Sequence, residues 1–464
     1  MLTVEVPDRL LPERRYALSV VLGHHLGVSH RVEVVGPTRQ ATVIRDDAGR
    51  SVRVADDLFA RPEALWGSSA LVPTGELAVA ALAPELAGRL ATSELPVLFG
   101  RPAPNDGPGE PVELGIDVFG SAFFLLSRYE EWASTRRDEH DRFVFAGSTA
   151  DRYGLVNEPL VDQYVEVLWW YLERAWPRLE RRRWAFEVVP THDVDNAFAF
   201  GGRPWRSLAP ALAGAAARRR PREVLDRARQ WAAVRREGID ADPYNTFRTI
   251  MDVTEGGGAA SAFYFIPDAT RVGRSPRGRY TLDDAPVRRL MAEVASRGHE
   301  IGIHASYPAH DEPERLASEL ATLRRACQDL GLPSLVRGGR HHYLRWAAPR
   351  SWRTWSDAGL DYDSTVGFAE RPGFRAGTCR PYPVYDLDGR AQLPLVERPL
   401  ILMDVSVTGY AGHDARSEEA AELVLSLRRR CQQVGGEFVV LWHNDVLARP
   451  GELDLFRLAL TGTT

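Results

Sequence analysis

From about residue 184 onward, short apolar runs alternate with longer stretches in which apolar residues recur every three or four positions. The short runs predict strands at 184–191 (WAFEVVPT), 260–266 (ASAFYFI), 299–304 (HEIGIH), 334–340 (SLVRGGR), 360–365 (LDYDST), 396–403 (VERPLILM) and 437–443 (EFVVLWH). The longer stretches, among them DPYNTFRTIMDVTEGG, APVRRLMAEVASRG, PERLASELATLRRACQDLG and SEEAAELVLSLRRRCQQVGG, predict helices. Several of them run into glycine, as helix C-termini do. Strand–helix alternation builds a parallel sheet, and seven strands suffice to close one. The expected fold class is α/β, with an irregular (β/α) barrel over 181–464.

Residues 1–180 follow another pattern. Short β-like runs (HRVEVVG, QATVIRD, SVRVADDLF) precede an alanine-rich helical piece and a Pro/Gly-rich loop at 100–111. Helical spacing returns in DVFGSAFFLLSRYEEWAS and in VDQYVEVLWWYLERAW at 161–176. This region is expected to be a separate N-terminal α+β domain. Its acidic cluster of Glu130, Glu131, Asp138, Glu139 and His140 is expected to be a solvated helix end and loop.

Composition narrows the setting. The chain of 464 residues is 44% hydrophobic and 26% charged, an ordinary globular balance. A formal charge of −5 gives no reason to expect nucleic acid as a partner. The basic runs at 217–222 and 428–430 are expected to be solvated helix faces. Cys327, Cys379 and Cys431 are too few and too scattered for a disulfide framework or a thiolate metal site. MLTVEVPDRLLPERR carries charge where a signal peptide needs an apolar core, and no apolar stretch reaches membrane length. A cytoplasmic location is expected.

The chemistry lies where the predicted strands stop. His192, Asp193 and Asp195 follow the first run, His304 ends the third with His310 soon after, and Arg340, His341 and His342 close the fourth. Asp361 and Asp363 lie in the fifth, the sixth reaches Asp404, and the seventh ends on His443. Asp193 and Asp195 are two apart in extended chain, so both point to one face. Two carboxylates on one face with converging imidazoles suit a divalent metal, zinc above all, with cobalt, nickel or iron as alternatives. One carboxylate would then bind the metal and the other serve as a base.

These residues resemble the polysaccharide deacetylase family, the NodB-type carbohydrate esterases, over roughly 185–450. THDVD resembles the block in which the first Asp is the base and the second a metal ligand, which implies Asp193 as base and Asp195 as ligand. GHEIGIH implies His304 as a ligand. RHHY implies Arg340 as the partner of the base, YDST implies Asp363 as the partner of the acid, and LWH implies His443 as the catalytic acid. The family's second ligand histidine would fall at 308, where this chain has Pro308. His342 is the expected third ligand and His310 the alternative, while His192, His299 and His341 are expected to be structural. SAFFLLSRYEEW, RDEHDRF and EPLVDQYVEVLWWYLE resemble the N-terminal region of a subgroup of the family.

The resemblance implies hydrolysis of an N-acetyl group on an amino sugar that is free, nucleotide-linked or lipid-linked. Asp193 would take a proton from the attacking water, and His443 would protonate the departing amine. Tyr343, Trp346, Tyr382 and Trp442 are candidate stacking surfaces for a sugar ring. The alternatives are a non-catalytic glycan-binding protein on the same scaffold and an amidase or deformylase acting on a small molecule.

Overall fold

The strand Glu187–Val194 introduces the part of the chain that carries the candidate chemistry. It contains a proline, yet its ladder with Ala262–Phe265 begins at Thr191, one residue past Pro190, so the missing N–H falls before that pairing. The computed structural model describes residues 1–36, 41–102, 112–201, 221–268, 280–332 and 336–463, and it is mixed α/β. Most of the loop expected at 100–111, the first part of the basic run at 217–222 and the start of the strand expected at 334–340 lie outside the described residues. The chain divides into two compact units: Met1–Val188 with Tyr343–Leu402 and Ser426–Val439, and Val189–His342 with Met403–Leu425 and Val440–Thr464.

In the second unit, Glu300–Ala305 pairs in parallel with Ala262–Phe265 on one side and with Gly338–His341 on the other. Thr191–Val194 extends the ladder, and the Trp442 N–H donates to the Thr191 carbonyl (3.1 Å). Two glycines permit a close approach of these strands. An added Cβ at Gly339 would stand 1.8 Å from the Ile303 carbonyl oxygen, and one at Gly302 would meet the Tyr264 ring and the Gly338 carbonyl at 2.5 and 2.7 Å. Glycine is the residue that fits there.

The helices of this unit bury one stripe each. Ala285–Ser296 buries Val287, Leu290, Met291 and Val294, and Phe247–Gly256 buries Phe247, Ile250, Met251 and Thr254. Fully burying such an apolar side chain is worth roughly 1.5–3 kcal/mol. The stripe of Pro313–Asp329 runs through Leu316, Leu320, Leu323 and Cys327, with a carboxylate, Glu319, buried among them. Glu319 accepts from the Ser306 N–H (2.9 Å) and from its hydroxyl, which ties down the chain just past His304. Burial pushes its pKa up to about 7, although the Ser306 hydrogen bonds oppose this.

The first unit is discontinuous in sequence. Its five-stranded sheet runs in the order His30–Val35, Leu2–Pro7, Ala41–Arg45, Ser51–Ala55, Val112–Leu114. Elsewhere in the unit, Ala391–Glu397 pairs antiparallel with Tyr382–Asp386 and parallel with Tyr362–Asp363. The strand expected over 396–403 is thus divided into Ala391–Glu397 and Leu402–Met403, because Pro399 between them has no N–H to give a ladder. The hairpin buries Tyr382, Val384, Tyr385 and Leu395. Asp386 turns it by accepting from the N–H groups of Asp388 and Gly389, both at 3.0 Å. No helix among the described residues is long and apolar enough to cross a membrane.

Candidate active site

The strand ends of the second unit bring together residues that are far apart in sequence. Asp193, the last residue but one of its strand, is buried, and its Oδ1 accepts from Arg340 Nη1 at 2.8 Å. Arg340 is fully buried, with its guanidinium over the Tyr264 ring (5.1 Å) and a second hydrogen bond from Nη1 to Thr191 Oγ1 (3.0 Å). The Thr191 hydroxyl in turn donates to the Val440 carbonyl. The Asp193 carboxylate is therefore held by one oxygen, while Oδ2 points toward His304 Nε2, 3.8 Å away.

Two residues on, Asp195 makes a different kind of contact. Its Oδ1 lies 3.1 Å from His304 Nε2 and 3.5 Å from His342 Nε2, and one ligand atom from each of the three falls within 4.8 Å of the others. Asp195 Oδ1 is buried with no hydrogen-bond donor among the described residues. The reason lies in the tautomer of His304. Its Nδ1 stands 3.0 Å from the Arg340 carbonyl, a contact that needs the proton on Nδ1 and leaves a lone pair on Nε2. A lone pair thus faces a carboxylate oxygen unless positive charge lies between them. Burial disfavours charge on His304, but the carboxylates of Asp193 and Asp195 overcome it and raise its pKa. Burial likewise works against the Asp195 charge, and the imidazoles of His342 and His304 outweigh it, holding the carboxyl well below its usual range.

The donor set fits a divalent cation. Ligand atoms held at about 2.0–2.1 Å around a tetrahedral ion stand roughly 3.3 Å from one another. The observed 3.1 and 3.5 Å lie on either side of that spacing. One carboxylate and two imidazoles are a donor set that could hold a metal ion. Just past His342, Tyr343 and Leu344 take left-handed φ angles of 63° and 51°. Such geometry costs about 1–3 kcal/mol per residue and tends to persist where surrounding structure enforces it.

His443 completes the group. Its Nε2 is 4.0 Å from Asp195 Oδ2, and its Nδ1 meets the buried Asp404 carboxylate at 2.9 and 3.1 Å. Asp404 also accepts from the backbone N–H groups of His443 (2.7 Å) and Val405 (2.6 Å). Burial alone would lower the His443 pKa; the charge and hydrogen bond of Asp404, with Asp195 and Asp193 behind them, raise it to about 10.

Three comparisons bear on kinship. Residues 2–177 match a family profile described as a family of unknown function (DUF7033). No curated protein matches the sequence. Among solved structures, the chain is similar to a Mycobacterium smegmatis protein provisionally named a polysaccharide deacetylase, with 17% identity over 61% of this chain and 84% of that one, at a TM-score of 0.38. It is also similar to the Puue allantoinase, with 12% identity over 60% of this chain and 82% of that one, at a TM-score of 0.33. Likeness at this level says nothing about chemistry, which rests on the side chains.

Of the residues expected at the site, Asp193, Asp195, His304, Arg340, His342 and His443 come together in the second unit. Asp363 is the correction. It is buried in the first unit, where it accepts from the Thr365 N–H (3.0 Å) and hydroxyl, and the carboxylate at His443 Nδ1 is that of Asp404. The polar end of the apolar run that reaches Asp404 was the available signal, and a short motif around Asp363 outweighed it. His310 is buried beside Asp311 (3.1 Å) and is not part of the Asp195 cluster. His192 is fixed between the Trp442 carbonyl and the Ser261 hydroxyl, its pKa lowered to about 3, chiefly by burial. His299 Nδ1 accepts from the Ser261 N–H. Trp346, Trp442 and Tyr382 are fully buried and cannot present a face to a sugar, which leaves Tyr343, 38% exposed, as the accessible ring of the four.

One positioning residue escaped the sequence reading. The buried Tyr280 hydroxyl donates to the Val194 carbonyl (2.7 Å) and accepts from the Ile266 N–H (2.8 Å). It thereby fixes the peptide between Asp193 and Asp195. A lone tyrosine carries no local pattern that would reveal this.

Proposed function

We propose that the second unit is a metal-dependent amide hydrolase that removes the N-acetyl group from an amino sugar which is free, nucleotide-linked or lipid-linked. One observation carries the reading: a carboxylate held by an arginine, Asp193, stands beside a cluster of three ligand-type side chains, Asp195, His304 and His342, with the charged imidazole of His443 4.0 Å from Asp195. Structural ion pairs need no such division of roles.

Asp195, His304 and His342 would hold the ion. A divalent cation there, zinc by preference, supplies charge that polarises the amide carbonyl and acidifies water. Asp193 Oδ2, the oxygen not engaged by Arg340, accepts the proton of the attacking water as the new C–O bond forms. Arg340 keeps that carboxylate oriented. His443 Nε2 then gives its proton to the amide nitrogen as the C–N bond breaks, releasing acetate and a free amine. Asp404 holds the imidazole in the orientation and charge state that this transfer needs.

The irregular (β/α) barrel, an accessory role for residues 1–180 and a cytoplasmic setting belong to the same proposal. A second reading, hydrolysis of a small non-carbohydrate amide, is favoured by the burial of Trp346, Trp442 and Tyr382. Acetate release tests the choice, with the full chain loaded with zinc or cobalt and offered N-acetylglucosamine, its nucleotide-diphosphate form and a simple acetamide. Release from the sugars is expected. Release from the acetamide alone would replace the first reading by the second, and metal binding without release from any of them would remove both.

A further inference from the structure

The first unit holds a cavity of about 450 Å³, within the range of small-molecule sites. Five arginines and two glutamates are among its lining residues, an excess of three positive charges. Two of the arginines are balanced: Arg89 pairs with Glu173 and Arg181 with Glu166, each at 2.7 Å. Arg182 reaches only a backbone carbonyl, that of His24 (2.7 Å), and the exposed Arg183 makes no ion pair among the described residues. Arg380, buried, donates to the carbonyls of Gly435 and Val434 and lies 3.6 Å from the carboxylates of Asp162 and Glu166, so the uncompensated charge of the cavity rests on Arg182 and Arg183.

Aromatic faces hold several of these groups. The Arg181 guanidinium lies 5.1 Å from the Trp169 ring, and those of Arg182 and Arg380 lie 5.7 and 6.0 Å from the Trp184 ring. Stacking of this kind orients a guanidinium before any anion arrives.

A second, independent observation points to a ligand. His25 lines the cavity, is fully buried, and has no hydrogen-bond partner at either ring nitrogen among the described residues. Arg181 Nε is likewise buried without a partner among the described residues. Orphaned buried donors are costly, and each calls for an explanation. Burial, with Arg380, His24 and Arg182 close by, keeps His25 neutral, so it offers one N–H.

We propose that this cavity binds a diphosphate-bearing anion of nucleotide size. Phosphoryl oxygens match the guanidinium forks, supply acceptors to His25 and Arg181 Nε, and balance the excess charge. The Trp184 and Phe186 rings also line the cavity. The proposal is independent of the hydrolase reading, since its site lies wholly in the first unit and its test involves no turnover.

The test is calorimetric titration of the full chain with pyrophosphate, uridine diphosphate and uridine. Pyrophosphate and uridine diphosphate should bind and uridine should not, with affinity falling as salt is raised. Tighter binding of the nucleotide would give its base a place in the cavity; equal binding would assign the site to the phosphoryl part alone. Arg182→Gln and Arg183→Gln should each weaken binding by about tenfold, the loss of one charge-assisted hydrogen bond, and Arg183→Gln should do so with an unchanged melting temperature. Failure of both anions to bind, salt-insensitive binding, or full affinity in the double variant would each overturn the proposal.

Discussion

Both units bury carboxylates among cations, but the two sets of contacts close differently. In the first unit Glu131 is 1% exposed and takes Arg375 through both oxygens (2.9 and 2.5 Å) and Arg128 Nε (2.9 Å). Arg375 spends its remaining nitrogen on the Gly367 carbonyl. Burial opposes the Glu131 charge, the two arginines outweigh it, and the pKa falls to about 2. In the second unit Asp195 faces two imidazoles, one of which has its proton committed elsewhere. The first arrangement is complete as it stands, whereas the second needs a cation or a proton. Burial of charge is thus no sign of chemistry; an unbalanced set of donors and acceptors is.

The comparison breaks most visibly at Asp193. Replacement by Asn should cut turnover by about 100- to 10,000-fold, the contribution of a positioned general base, while metal content stays level with the parent. Activity with bound metal unchanged would remove the base from the scheme. Next comes metal affinity. His342→Ala should lose more than the roughly 10–100-fold that an outer partner of a ligand costs, and His310→Ala should lose nothing. Competition against a chromogenic chelator reads both variants, and the reverse order would exchange their roles. Binding should also weaken as pH falls through the raised pKa of His304, since protons and the ion compete for one nitrogen.

Stability should respond on the other side. Glu131→Ala leaves two buried guanidiniums unpaired and should cost about 3–5 kcal/mol in denaturant unfolding, without changing metal affinity. A variant as stable as the parent would mean that the closed network carries no structural load. The smallest effect is expected at Asp404→Asn. The acid must be protonated to act, and Asp404 raises its pKa, so activity should fall away on the alkaline side at a pH lower by at least about 1 unit. The same raised pKa makes His443 stabilising below the ordinary imidazole value of 6.5, a contribution lost as pH climbs toward 10 in metal-free protein. An alkaline limb unmoved in Asp404→Asn would detach Asp404 from the acid.

Much of this was legible in the chain. Apolar periodicity marked Ala285–Ser296 and Pro313–Asp329 as helices, and short apolar runs marked Ala262–Phe265 and Glu300–Ala305 as strands, because periodicity records which side of an element meets the core. The i, i+2 spacing of Asp193 and Asp195 put both on one face, and both do reach His304. Glu131 is sealed among arginines, where the local run of acidic residues predicts a solvated helix end. Its partner Arg375 lies 244 positions away, and nothing local announces such a contact.

By itself, then, the sequence determined the alternation of strand and helix, the gathering of ionisable residues at strand ends and the types of group available, all of which depend on near neighbours. Only the tertiary structure decided that Asp404 rather than Asp363 meets His443, that His342 rather than His310 joins Asp195, and that Glu131 is sealed among arginines. The partner of a charge is chosen by which side chains the folded backbone brings within a few ångströms, and spacing along the chain carries no record of that distance.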